Sequence, residues 1–182
     1  MPVNFHEEYA RIQGALKKKL FSLKKPDYAG SAEQLLELGN ELKRHGNEPH
    51  AALCSMAAAQ CWRAMGYLYK EAHHETEAGG LLWQAGGIQP GGVFDADACI
   101  LPVQDLVPDA TACYLAAIDV HVKNGKGALA ASLYSELAGH YIALNRVITP
   151  LKFLFPFHPS PHHRTARSQI HHSSFSNRPP SM

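Results

Sequence analysis

Apolar side chains recur at spacings of three and four over most of the first 144 residues, which is the period of helices buried on one face. Phe5, Tyr9, Ile12, Leu16, Leu20 and Leu23 predict a first helix from about Asn4 to Leu23. Glu7 and Glu8 lie in its first turn and lysines crowd its end, both matching the helix dipole, and Pro26 closes it. Leu35, Leu38 and Leu42 predict a second helix over Ala32 to Arg44, with Ser31 and Gln34 forming a capping box. Gly46 supplies the next turn. Pro49 then opens a third helix running to about Tyr69. That helix is apolar over much of its circumference, with Cys54, Ala58, Cys61, Met65 and Leu68 on one line and Leu53, Met56 and Trp62 off it, so it is expected to be central. A fourth, weaker helix is expected over Glu75 to Ala85, because Gly79 and Gly80 each lower helix stability by about 1 kcal/mol relative to Ala. Residues 86–106 are rich in Gly and Pro and read as a long connection. A helix from Pro108 to Lys123, a Gly125 turn and a last helix over Ala128 to Leu144 complete the pattern.

The stretch from Leu35 to Ala58 carries more than periodicity. Leu-x-x-Leu-Gly-x-x-Leu, then Gly46, Ala51 and Ala58, is the spacing of one helical hairpin of the tetratricopeptide type. Gly39 leaves room for a close neighbour, and Ala51 and Ala58 sit seven apart on the facing helix. Aligned on Gly125, the later pair matches the same pattern at Tyr114, Ala130 and Tyr134, with Ile118 where a small residue is usual. Such hairpins bury their apolar faces by stacking on one another. The expected fold class is therefore all-α, a tetratricopeptide-like solenoid over residues 4–144.

Composition changes abruptly at Asn145. Residues 145–182 hold Pro150, Pro156, Pro159, Pro161, Pro179 and Pro180, two His-His pairs and many serines, and are expected to be a disordered tail. All 16 carboxylates precede residue 137, while Arg146, Lys152, Arg164, Arg167 and Arg178 follow it. An acidic body thus carries a basic tail. Met1 to Glu8 is too polar for a secretory leader, and no apolar run reaches the roughly 18–20 residues that span a bilayer. Cys54 and Cys61 lie about 10 Å apart on one helix, too far to bond, which fits a reducing cytoplasmic setting.

The candidate chemistry is sparse. His73-His74, His162-His163 and His171-His172 lack the spacing that lets four ligands converge on zinc, and read as surface histidines, so no metal is expected. Asp95, Asp97, Asp105 and Asp109 break the calcium-loop order after Asp97. The glycine pairs lack the lysine of a phosphate loop, and no GxSxG or convergent polar set is present. Neither an enzyme nor a cofactor is expected. Arg164 to Arg178 has no interleaved aromatics, so nucleic acid is not an expected partner. Lys17, Lys18 and Lys19, reinforced by Lys24 and Lys25, have two readings: a contact for an acidic partner or anionic lipid, and a solvated face favoured by the helix dipole. Together with Trp62 and Tyr141, these three lysines are the expected partner-binding residues, with peripheral membrane association the most that charge would support.

The order of the pieces resembles one family, the 40-kDa huntingtin-associated proteins, also called factor VIII intron-encoded proteins. The resemblance is carried by Tyr9-Ala-Arg11, Leu16-Lys-Lys-Lys-Leu-Phe21, Lys25-Pro26, Glu33-Gln34, Leu38-Gly39-x-Glu41-Leu42, Pro49-His-Ala-Ala-Leu-Cys54 and Ala59-Gln-Cys61. It continues through Leu115 to His121 and Gly127 to Leu137 and covers about Phe5 to Leu144. It implies a non-enzymatic adaptor that binds the HEAT-repeat solenoid of huntingtin. It also implies a link to early endosomes through an endosomal Rab GTPase, vesicle movement along the cytoskeleton, a cytoplasmic location and a nuclear pool. Three features depart from the resemblance: the family is expected to be about twice this length, with further helical repeats; the tail from Asn145 differs; and the glycine pairs stand where stronger helix formers are usual. The rival reading is another repeat scaffold, a vesicle-fusion attachment factor or a chaperone-binding module. The latter clamps a peptide carboxylate with cations on its concave helices, whereas Leu42 and Ala51 to Ala59 are largely apolar here.

Overall fold

The computed structural model describes residues 5–17, 26–89, 93–99 and 103–154, with 93–99, 103–105 and 147–154 described by backbone alone. The helices are α1 (Phe5–Leu16), α2 (Tyr28–Arg44), α3 (Glu48–Met65), α4 (Leu68–Ala85), α5 (Val103–Lys123) and α6 (Gly127–Leu154). Between α4 and α5 lie strands β1 (Gly86–Gln89) and β2 (Val93–Cys99), paired antiparallel. The fold is overwhelmingly helical, as the periodicity predicts. Each helix packs on the next one in sequence, from α1·α2 through α5·α6.

Three turns share one solution. At Gly46, Gly66 and Gly125 the backbone is left-handed, with φ of 68°, 80° and 69°. In each, the residue after the glycine donates its amide to a carbonyl five residues back: Asn47 to Leu42, Tyr67 to Trp62 and Lys126 to His121. This arrangement satisfies carbonyls that a helix end would otherwise leave open. Gly66 therefore ends α3 at Met65, and the single helix expected to run from Pro49 to Tyr69 is corrected to two. The fourth helix begins at Leu68, seven residues earlier than the Glu75 expected.

Other boundaries also move. Asp27, not Ser31, caps α2, its Oδ1 accepting from the Gly30 amide at 2.9 Å, and Ser31 is buried inside the helix. The capping box is thus corrected, and Gln34 accepts instead from Arg11 of α1 at 2.9 Å. The long connection contains a β-hairpin, with an irregular register between Gly86 and Ile88. Gly87 takes φ 78°, and Ile88 drops fully into the core. α5 starts at Val103, which places Pro108 inside it. α6 continues to Leu154, so residues 145–154, expected in the tail, are helical. Residues 155–182 lie outside the described residues, with the two later His-His pairs.

The core runs through the stack, with Ile12, Leu35, Cys54, Trp83, Ile88 and Tyr114 among its most enclosed side chains. Burying a large apolar side chain contributes about 1.5–3 kcal/mol. Small residues set the helix spacing. A Cβ on Gly39 would stand 3.1 Å from that of Cys54, and Ala51 and Ala58 are fully buried beside them. A Cβ on Gly79 would meet the Tyr114 ring at 2.6 Å, so this glycine admits the tyrosine between α4 and α5. Burial pushes the Cys54 and Cys113 thiols up to about 12 and raises Cys61, leaving all three uncharged and unreactive.

Candidate partner-binding surface

Polar clamps fix the helices on which the surface is built. Arg63 near the end of α3 donates to Glu71 at 2.6 Å and to Glu75 at 3.1 Å on α4. Both carboxylates are buried, and burial raises Glu75 above the usual carboxylate range despite the guanidinium. Glu77 of α4 accepts from Lys43 of α2 at 2.6 Å and from Ser55 of α3 at 3.4 Å. His74 Nδ1 lies 3.1 Å from the oxygen that Ser55 also reaches, and this hydrogen bond, ahead of Lys43, holds the Glu77 carboxyl down at about 2. Donor atoms of His73, His74 and Glu77 fall within 4.8 Å of one another. The structure thus gathers the first histidine pair about a carboxylate, which spacing alone did not suggest. Lys43 already neutralises that carboxylate, and the cluster reads as an interhelical salt bridge.

At the turn edge the surface is aromatic and basic. The αL turn at Gly66 places Tyr67, Leu68 and Tyr69 side by side in the open, with Tyr67 and Tyr69 at 55% and 63% exposure. Lys70 crosses beneath them, its Nζ 3.9 Å from the Trp62 ring centroid and 5.6 Å from that of Tyr67. Trp62 meets Tyr67 edge-on at 5.8 Å and is itself only 6% exposed. Opposite stand Val120, His121, Asn124 and Lys126 from α5 and its turn, enclosing about 490 Å³ with the Gly66–Lys70 wall. A neighbouring depression of about 510 Å³ shares Leu68, Val120 and Asn124, so the two form one trough.

The expected site residues separate. Trp62 lies under the trough as the platform that holds Lys70. Tyr141, on α6, is 41% exposed with its hydroxyl 2.8 Å from Thr111 and its ring edge-on to Trp83 at 5.7 Å. It belongs to an apolar strip with Tyr134 and Ile142. Lys17 is exposed just beyond the end of α1, while Lys18 and Lys19 lie outside the described residues. Sequence reasoning missed Tyr67, Tyr69, Lys70 and Lys126. It also missed His140, buried flat against Trp83 at 5.1 Å, with Nε2 3.2 Å from the Tyr114 hydroxyl. Tyr114 in turn donates to Glu136 at 2.6 Å, joining α5 to α6.

Across 135 residues, 74% of its length, the chain is 31% identical to the 40-kDa huntingtin-associated proteins of rat (Rattus norvegicus) and mouse (Mus musculus). The chain is a relative of the 40-kDa huntingtin-associated proteins. It spans about a third of the length of these curated relatives, the matched region covering 34% of each. No protein-family model and no solved structure matches it. The three glycine turns and the whole trough lie within the first 144 residues. Among the described residues no helix is long and apolar enough to cross a membrane.

Proposed function

We propose that this chain is a non-enzymatic adaptor that binds huntingtin. The observation that carries the reading is the 31% identity over 135 residues to proteins named for huntingtin association. Exposed aromatic and aliphatic side chains at the trough and on α6 support it, because burial of such groups supplies the apolar part of a protein interface. We take the stack to be a tetratricopeptide-like solenoid, supported by three equivalent glycine turns and by the packing of consecutive helices. Vesicle movement with early endosomes, an endosomal Rab GTPase as second partner, and a cytoplasmic location with a nuclear pool complete the proposal.

The test is co-purification of the 182-residue chain with the huntingtin of its own organism, followed by size-exclusion chromatography. Co-elution in equal amounts is the expected result. A folded chain that elutes alone would remove huntingtin as its partner. Imaging of the tagged chain against an early-endosomal Rab marker tests the location separately, and a distribution independent of that marker would remove the endosomal part.

A further inference from the structure

The two lobes of the trough differ in charge balance. In the second, Arg63 and Lys123 face Glu71 and Asp119, and each cation is already paired with one of these acids. Among the described residues, the first is lined by Lys70, His121 and Lys126 and by no carboxylate. Lys70 is held on the faces of Trp62 and Tyr67, contacts that position an ammonium without cancelling its charge. Neither Lys70 nor Lys126 has an ion-pair partner among the described residues. The lobe is also apolar, since Tyr67, Leu68 and Tyr69 stand exposed along one wall.

We infer that the trough is a docking site for an acidic peptide segment of a partner protein, one in which carboxylates flank an aromatic or aliphatic side chain. The apolar side chain would cover Leu68 and Tyr69, while the carboxylates would meet Lys70 and Lys126 at the uncompensated end. The second lobe, its charges already matched, would take the neutral continuation of the segment. A concave site between two helical turns suits an extended chain. It suits a bilayer poorly, because an apolar patch must protrude to insert. The Gly66 turn has a purpose in this arrangement beyond ending α3: it presents three consecutive side chains on the rim. The inference deepens the partner-binding reading above and rests on it for the presence of a protein partner, but it does not require that partner to be huntingtin.

The experiment uses the full chain and two fluorescein-labelled peptide pools. In one, Asp and Glu blocks flank a single Phe or Leu, and in the other Lys replaces every acid. Saturable anisotropy change with the acidic pool alone is expected. Lys70→Glu combined with Lys126→Glu should weaken it about tenfold or more, Tyr69→Ala should weaken it further, and added salt should reduce it. Arg146→Glu, a reversal on an exposed residue of α6 that lines neither lobe of the trough, should leave it unchanged. All four positions are exposed, so circular dichroism should be the same for every variant. No binding of the acidic pool, equal binding of both pools, equal loss with Arg146→Glu, or a preference for anionic vesicles would each overturn the inference. Peptide binding by a chain that does not capture huntingtin would leave the trough standing and remove only that partner. Huntingtin capture without peptide binding would do the reverse.

Discussion

Gly79 and Gly80 are adjacent on α4 and have opposite structural meanings. A methyl group at 79 would lie 2.6 Å from Tyr114 Cδ2 and 3.1 Å from the Ala110 carbonyl, so both a buried ring and a backbone would have to move. At 80 the nearest atom is the Tyr114 hydroxyl at 3.9 Å, an ordinary contact. Overpacking a core costs about 1–3 kcal/mol, whereas replacing a helical glycine with alanine gains up to about 1 kcal/mol where space allows. Gly79→Ala is therefore expected to lower the melting temperature by several degrees, and Gly80→Ala to raise it slightly. Calorimetry on the pair checks the argument, and equal shifts would refute it. Composition could show that two glycines weaken a helix. It could not show which one faced Tyr114, because that depends on how α4 and α5 cross. Trp62 teaches a similar lesson. Its size marked it as an anchor, but only the fold reveals that the anchored group is Lys70.

At the level of elements, the periodic signal located most of the helices and the glycines located two of the three main turns. Gly66 was hidden because Tyr67, Leu68 and Tyr69 continue the apolar stripe of α3, and periodicity cannot report a break that preserves the pattern. The β-hairpin was hidden for a different reason. Its glycine-rich start reads as a loop, and the alternation in Val93-Phe-Asp-Ala-Asp-Ala-Cys99, the signal that could have revealed it, covers a single short strand. The α3–α4 hairpin that follows from the Gly66 break is closed by Arg63 on two buried acids. Arg63→Ala leaves Glu71 and Glu75 enclosed without their cation. An unsatisfied buried acceptor costs about 1–3 kcal/mol, and half of the Arg63 side chain is exposed, so a loss of about 2 kcal/mol is expected. Urea unfolding gives the magnitude. The loss should shrink in mild acid, because burial already raises the Glu75 carboxyl, and in its neutral form it needs no counter-ion. A loss independent of pH would show that the arginine acts through packing alone.

Across the whole molecule, the last helix is tied to the stack through His140, and this makes its attachment sensitive to acid. The ring lies on Trp83 of α4, with Tyr114 of α5 at Nε2 and Glu136 of α6 3.9 Å away. Burial lowers its pKa below the ordinary 6.5, outweighing the upward pull of Glu136, and the Tyr114 phenol is pushed up and stays neutral. Above 6.5 the imidazole is neutral whether the chain is folded or not, and its contribution to stability is complete. As pH falls through 6.5 the unfolded chain takes a proton that the folded chain resists, so the unfolded state binds more protons and stability declines until the folded pKa is passed. His50 acts in the same direction, lowered by burial and then by the charge of His6. The carboxylate of Glu77 holds out longer, its contribution fading only between 4.5 and about 2. Stability should therefore fall in two stages on acidification, histidines first. His140→Phe keeps a ring on Trp83 but has no proton to gain, and the change in its urea midpoint between about pH 7.5 and about pH 5.5 should be smaller than that of the unsubstituted chain. Equal changes would mean that His140 takes up its proton as readily folded as unfolded, and that this ring does not make the attachment of α6 sensitive to acid.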